Sequence, residues 1–247
     1  MRKEKTAVIT GASSGIGAEF ARRYAEWGYK LILTGRREEK LRTVEEEIKR
    51  HYPVSIKLEI TELSDENELD NFAKELEKTS DIEVLVNNAG FGLEESFVEG
   101  DVDKHLDMVK VHCEAPMRLI AAAAPIMVRR ASGTIINISS LGSFFASPSS
   151  ATYCASKLFL NSLSESLHME LKNAGIRVIA LCPGFTRTDF HEKLGIPNEE
   201  LKNAGPVRWM LPPAVVDYAL RCVEKKRGKV ICIPGFFNRL LYRFSKI

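Results

Sequence analysis

TAVITGASSGIGAEFARRYAEWG, residues 6–28, decides how this chain folds. Its first five residues are apolar or β-branched, as a strand buried on both faces demands. Glycines follow at 11, 15 and 17, and then a run of helical periodicity closes at Gly28, a residue suited to a helix C-terminus. Strand, glycine turn and helix in that order are the parts of a dinucleotide-phosphate site. Gly11 permits the sharp turn, Gly15 lets the backbone approach a pyrophosphate, and Gly17 lets the helix pack against the sheet. The N–H groups and positive dipole end of the helix then face the anion. Gly11, Ser13, Ser14, Gly15, Ile16 and Gly17 are the candidate contacts. The spacing is G-x-x-x-G-x-G rather than G-x-G-x-x-G, and glycines also end strands for structural reasons alone.

Outward from this unit the same alternation continues. KLILT (30–34), VSIKLEI (54–60), VLVNN (84–88), TIINIS (134–139), RVIALC (177–182) and KVICIP (229–234) read as further strands. Between them lie helical runs. REEKLRTVEEEIKRHYP stops at Pro53, because proline cannot continue a helix. DENELDNFAKELEKT follows Ser64, a candidate N-cap with Asn67 at the capping-box position. Strands alternating with helices predict an α/β fold, a doubly wound parallel sheet with right-handed crossovers. With no repeat or linker, residues 1–247 are expected to form a single domain.

Composition fits an ordinary globular protein: 45% hydrophobic, 28% charged, formal net charge +2. So small a charge, without a basic run interleaved with aromatics, gives nucleic acid no footing as a partner. Cys113, Cys154, Cys182, Cys222 and Cys232 form no C-x-x-C pair, which points to a reducing compartment and no structural zinc. The start, MRKEKTAVITG, passes directly from charge into a strand. No segment is expected to reach transmembrane length, so the chain reads as cytoplasmic.

Which nicotinamide cofactor is preferred turns on LILTGRREEK (31–40). An acid at the end of the second strand accepts from the ribose 2′-OH of NAD, whereas a 2′-phosphate requires an arginine instead. Gly35 stands at the acid's place, followed by Arg36 and Arg37. A solvated basic pair is the plain alternative, but cations at a helix N-terminus oppose its dipole unless an anion is near. An arginine fork holds a phosphate bidentately, so the cofactor read from these residues is NADP(H).

In TYCASKLFLNSLSESLHMEL (152–171), Tyr153 and Lys157 stand at i and i+4, on one helix face. A neighbouring ammonium, together with the cationic nicotinamide ring, is expected to favour the phenolate. Lowering a phenol by about three units corresponds to about 4 kcal/mol. Tyr153 is then a proton donor to a carbonyl, or acceptor from an alcohol, as hydride moves. By itself the pair is also met as a surface lysine beside a half-buried tyrosine.

TGASSGIG (10–17), NNAG (87–90), NISS (137–140), YCASK (153–157) and PGFTRT (183–188) together resemble the ordered motifs of the classical short-chain dehydrogenase/reductase family. The resemblance spans nearly the whole chain and implies a seven-stranded Rossmann sheet. It implies that Ser140 orients the substrate oxygen, with Ser139 as structural partner, and that Lys157 also holds the nicotinamide ribose. Asn88, Ala89 and Gly90 are similar to the family's cofactor contacts after the fourth strand. Pro183, Gly184, Thr186 and Thr188 match the segment that meets the carboxamide. GRR and IPGFFNRLL look like the DltE-type branch, generally NADP-linked. Glu62, before Leu63, stands where the family has an aspartate contacting adenine. His112 in VHCEAPMRL aligns with the family's catalytic asparagine, which supports a water relay toward the lysine. A histidine both donates and accepts, so His112 is either a relay that titrates near 6.5 or a packed helical residue.

Residues 189–212 are expected to cover the substrate, with Phe190, Leu194, Trp209 and Met210 available as lining, and Phe91, Leu93 and Phe144 completing an apolar site. The resemblance implies homodimers or homotetramers built on the two long helices. The tail FFNRLLYRFSKI (236–247) reads as a subunit contact or packing arm, or an interfacial membrane helix. No metal is called for. A non-catalytic NADP(H)-binding sensor is the competing function; it has no need of Ser140, Tyr153 and Lys157. An NAD-linked epimerase of the extended branch is disfavoured by length and by the glycine spacing.

Overall fold

β1 (Thr6–Thr10) is buried along its whole length and pairs in parallel with β2 (Lys30–Gly35) on one side and β4 (Ile82–Asn87) on the other. With β3 (Ile56–Ile60), β5 (Gly133–Ile138), β6 (Ile176–Leu181) and β7 (Ile231–Cys232) the order is β3-β2-β1-β4-β5-β6-β7, all parallel. The computed structural model describes residues 5–93, 96–192, 202–203, 208–225 and 228–244, so Leu194 lies outside the described residues. Strand order reverses at β1, where the chain builds outward to β3 and then returns to place β4 on the other side. The C-terminal ends of β1 and β4 therefore diverge, leaving the crevice in which such sheets bind ligands.

Alternation along β1 sends Ala7 and Ile9 to one face and Val8 to the other. Ala7 and Ile9 meet α1 (Gly15–Glu26), α2 (Glu38–His51) and α8 (Pro212–Glu224) through Phe20, Leu41 and Val216. Val8 meets α3 (Glu66–Glu77) and α5 (Ala115–Arg130) through Phe72 and Leu119. Fully burying a side chain such as Phe20 contributes roughly 1.5–3 kcal/mol. That exceeds a helix cap's typical ~1 kcal/mol, so layer packing outweighs local propensity in holding the helices.

Several sequence expectations are corrected in detail. β3 begins at Ile56 rather than Val54, because the Val54 N–H turns back to the Tyr52 carbonyl and pairing with β2 starts at Leu31↔Ile56. β7 shrinks to Ile231–Cys232, the length over which β6 offers partners. The α3 cap is Asp65, not Ser64: the Asp65 carboxylate accepts from the Glu68 N–H at 2.9 Å, while the Ser64 hydroxyl donates to Glu62. Gly28 takes φ +78° just past α1, as a left-handed helix terminus requires.

α4 (Val102–Val109) runs through a π-turn (Lys110–Glu114) into α5, one continuous helix over Val102–Arg130. Contrary to expectation, this stretch is long and apolar enough to cross a membrane, but 56% of its apolar window is buried against the sheet and its other helices. Pro116 follows just after the π-turn. It has no N–H for the His112 carbonyl four residues back, and its ring crowds that carbonyl.

Asp65→Ala should lower unfolding free energy by about 1 kcal/mol, whereas Ser64→Ala should cost less than half as much. Urea denaturation of both variants measures the difference, and equal losses would return the cap to Ser64.

Candidate active site

The crevice is closed at its base by Thr10. Its hydroxyl accepts from the N–H groups of Asn88 and Ala89, both at 2.9 Å, and donates toward the Val86 carbonyl. The Asn88 amide donates back to the Thr10 and Gly11 carbonyls at 2.9 and 3.1 Å. β1 and β4 are thus stapled where they begin to part. Gly11 adopts φ +63°, and a Cβ there would lie 2.8 Å from the Ala89 Cα. A Cβ on Gly17 would lie 2.4 Å from the Gly11 carbonyl oxygen, so only glycine lets α1 come this close. Ile16 packs on the core beneath, and Ser14 caps α1 without a side-chain bond to it. The α1 N–H groups are left facing the crevice, the cradle a pyrophosphate needs.

Arg37 lies across this turn. Its Nη2 donates to the hydroxyls of Ser13 and Ser14, both at 2.8 Å, and its Nη1 to Asp189 at 3.0 Å. Arg36 is 62% exposed and pairs with Glu62 at 3.1 Å. Arg37 is therefore built into the turn, while Arg36 is the solvated half of the pair. Glu62 is engaged by Arg36 and Ser64, and the Leu63 side chain is buried in the core.

The end of β5 and α6 (Ala151–Leu171) carry the candidate catalytic groups. The Ser140 hydroxyl accepts from the Gly142 N–H at 3.0 Å, which fixes the turn Leu141–Phe144 and leaves its proton for Tyr153. Lys157 is buried; its ammonium donates to the Ile138 carbonyl at 3.0 Å and lies 5.8 Å from the Tyr153 ring centroid. Its backbone carbonyl accepts from Ser139 at 2.8 Å. Burial pushes the Tyr153 phenol above its ordinary range, and the Ser140 hydrogen bond only partly offsets this. Burial also lowers the Lys157 ammonium to about 8. The Lys157 ammonium faces the aromatic ring of Tyr153 rather than its hydroxyl, so burial sets the direction in this arrangement.

His112 is fully buried in the π-turn. Its Nε2 accepts from the Phe91 N–H at 3.0 Å, and its Nδ1 lies 2.9 Å from the Ser156 hydroxyl. Ser156 gives its own proton to the Tyr153 carbonyl at 2.8 Å. Nδ1 must therefore carry the histidine proton, and both ring nitrogens are spent on protein partners. Burial, then the Lys157 charge, holds the ring well below its usual pKa. Gly90 leaves it room, since a Cβ there would lie 2.8 Å from Nε2.

The segment after β6 completes the crevice. The Pro183 carbonyl accepts from the Leu141 N–H, tying it to the Ser140 turn, and Gly184 packs against Asn238. Thr186 donates to the Gly184 carbonyl, and Thr188 lies against Gly15. Phe190 stands 5.9 Å from the Tyr153 ring, and Phe91 stands 5.7 Å from His112. Phe144 packs on Tyr242 of α9 (Phe236–Phe244), and Trp209 on Phe185. The tail is thus in part a packing arm.

Sequence reading passed over Asn87 and Asn137. Adjacent in register, they are joined at 2.8 Å, and Asn137 continues to Ser164 at 2.9 Å, tying β4 and β5 to α6. An asparagine at the same level in two neighbouring apolar strands was the available signal. Ser156 and Asp189 carried none.

Residues 5–198 match the family model described as short chain dehydrogenase. An uncharacterised oxidoreductase of Staphylococcus saprophyticus is 37% identical over 75% of this chain and 80% of its own length. The 3-oxoacyl-[acyl-carrier-protein] reductase FabG of Rickettsia prowazekii is 36% identical over 81% of this chain and 79% of its own. Among solved structures, a short-chain dehydrogenase from Sphingobium yanoikuyae in complex with NADPH superposes with TM-score 0.88 at 30% identity, over 98% of this chain and 91% of that one.

A histidine kept neutral in the fold makes stability fall with acid. Below about 6.5 the unfolded chain takes up a proton that the folded chain refuses. Wild type should therefore lose up to about 1.4 kcal/mol per pH unit more than His112→Asn as pH falls from 6.5 to 5. Parallel stability curves from urea titrations would mean that the ring titrates in the folded protein.

Proposed function

Since the chain belongs to the short-chain dehydrogenase family, we propose that it is an NADP(H)-dependent oxidoreductase interconverting a carbonyl and a secondary alcohol, acting on CH–OH groups. The observation that carries this is the convergence of Ser140, Tyr153 and Lys157 beside the glycine turn, at the switch point of the sheet. A neighbour solved with NADPH and a relative named as an oxoacyl reductase support both halves. Arg36 and Arg37, with no acid at Gly35, support the phosphorylated cofactor. The same GRR supports a place in the DltE-type branch.

The chain fits such a cofactor along its whole length. Gly11, Ser13, Ser14, Gly15, Ile16 and Gly17 would hold the pyrophosphate, and Arg36 and Arg37 the 2′-phosphate. Glu62 and Leu63 would meet the adenine. Asn88, Ala89, Gly90 and Lys157 would hold the ribose end; Pro183, Gly184, Thr186 and Thr188 would hold the carboxamide. Bound NADP(H) supplies or accepts the hydride. Ser140 orients the substrate oxygen, and Tyr153 holds the transferred proton on its hydroxyl. Burial favours the neutral phenol, the form that donates to a carbonyl oxygen as negative charge develops there. Lys157, near 8, exchanges protons close to neutral pH. His112 is a positioning residue, fixing the Phe91 backbone and, through Ser156, the turn of α6 that carries Tyr153. Of residues 189–212, expected to cover the substrate, 193–201 and 204–207 lie outside the described residues, while Phe190 stands against the Tyr153 ring. The five cysteines are all free thiols, in keeping with work in the cytoplasm.

An apolar groove of about 600 Å³ runs between α5 and α6, lined by Met117, Ala121, Leu163 and Leu167 among others. Such a surface calls for a partner, and a second copy of the chain, in a homodimer or homotetramer, is the one we assign.

Tyr153→Phe should reduce NADPH-dependent carbonyl reduction at least about 10³-fold, while NADPH affinity stays within about threefold, because only the proton carrier is lost. Turnover within a few-fold of wild type on any good ketone would refute the role. Tight NADPH binding with no turnover on any carbonyl would favour a sensor. Met117→Glu/Ala121→Glu should convert the sedimenting oligomer to a smaller species with unchanged circular dichroism, and an unaltered mass would place the interface elsewhere.

A further inference from the structure

We propose that Asp189 is a specificity-determining residue: an internal anion occupying the Arg37–Lys40 cation pair, which the cofactor's 2′-phosphate must displace. The proposal rests on the NADP(H) reading above and assigns the residue that sets how strongly that cofactor is preferred.

Asp189 follows Thr188 at the start of α7 (Asp189–Glu192), on the segment that leaves β6. A Cβ on Gly15 would lie 2.8 Å from the Thr188 side chain, so this segment rests directly on the glycine turn. From there one carboxylate oxygen of Asp189 takes Arg37 at 3.0 Å and Lys40 at 2.8 Å. The donors of Arg37 are then divided, with Nη1 on Asp189, Nη2 on Ser13 and Ser14, and Nε on Ser13. A guanidinium so engaged has no free edge for bidentate phosphate. Lys40 and then Arg37 hold the Asp189 carboxyl down to about 2, so it is a carboxylate at any working pH.

Local charge decides the direction. Arg36, Arg37 and Lys40 against Glu62 and Asp189 leave three positive and two negative groups, a balance of +1. A phosphate monoester brings about −1.5 to −2 near neutral pH. It must share two cations with a carboxylate that already holds both, and like charges at one site oppose each other. A cofactor without the 2′-phosphate leaves the latch closed and is indifferent to it. The alternative role, aiming Arg37 at the phosphate, predicts the opposite sign on removing the charge.

The test is calorimetric titration of wild type, Asp189→Asn, Arg37→Ala/Lys40→Ala and the triple variant with NADPH, NADH, 2′,5′-ADP and 5′-ADP, without substrate. Asp189→Asn is near-isosteric, and circular dichroism checks its fold. It should tighten NADPH and 2′,5′-ADP about three- to tenfold, with NADH and 5′-ADP moving less than about twofold. In the background lacking both cations its effect should fall below about twofold, because nothing remains to release. Unchanged or weaker binding of 2′,5′-ADP by Asp189→Asn, where wild type still prefers NADPH, overturns the role of Asp189 and leaves the cofactor reading standing. Equal wild-type affinities for NADPH and NADH overturn the cofactor reading itself, and this inference with it.

Discussion

Two backbone N–H groups at the end of β4 converge on the hydroxyl of Thr10, and the asparagine between them reaches back to the carbonyls that end β1. That staple fixes how far apart the two strands stand where their order reverses. If Thr10 shifted, Gly11 and Gly17 would lose the close approach that brings α1 to the crevice, and Asn88 and Gly90 would lose their level beside Lys157. The glycine turn and the segment after β4 are thus referenced to one hydroxyl. At such a site small displacements weaken both binding and chemistry.

Burial is the second constraint, and it acts on three groups at once. It raises the Tyr153 phenol, lowers the Lys157 ammonium and keeps His112 neutral. In each case the uncharged form is favoured, because the medium around α6 solvates ions poorly. The groups nevertheless stay hydrogen-bonded: Tyr153 by Ser140, Lys157 by the Ile138 carbonyl, His112 by Phe91 and Ser156. Of the three, only Lys157, at about 8, is brought close to neutral pH, where a group exchanges protons most readily.

Polar order inside the core extends this pattern. The Asn87–Asn137–Ser164 chain ties two central strands to the helix that bears Tyr153 and Lys157. Asn161 and Ser143 tie that helix to the Ser140 turn. A hydrophobic interface alone would tolerate small slides between sheet and helix, whereas buried hydrogen bonds demand one register, since a missed partner costs about 1–3 kcal/mol.

What the sequence determined by itself is what local spacing encodes. The β1–turn–α1 unit, the strand and helix alternation and the one-turn spacing of Tyr153 and Lys157 all follow from steric and periodic rules acting over a few residues. Element ends proved less legible, as Asp65 and the short β7 illustrate, because a cap or rung depends on which partner arrives. Tertiary structure alone decided the rest. Arg37 meets Asp189 across 152 residues, Asn87 meets Asn137 across 50, and His112 meets Ser156 across 44. No spacing rule reaches that far. The direction in which Tyr153 is shifted belongs to this second class as well. Sequence places a cation one turn away, but only the packed fold sets where that cation points and how much water the hydroxyl keeps, and desolvation is a property of the surroundings rather than of the residue.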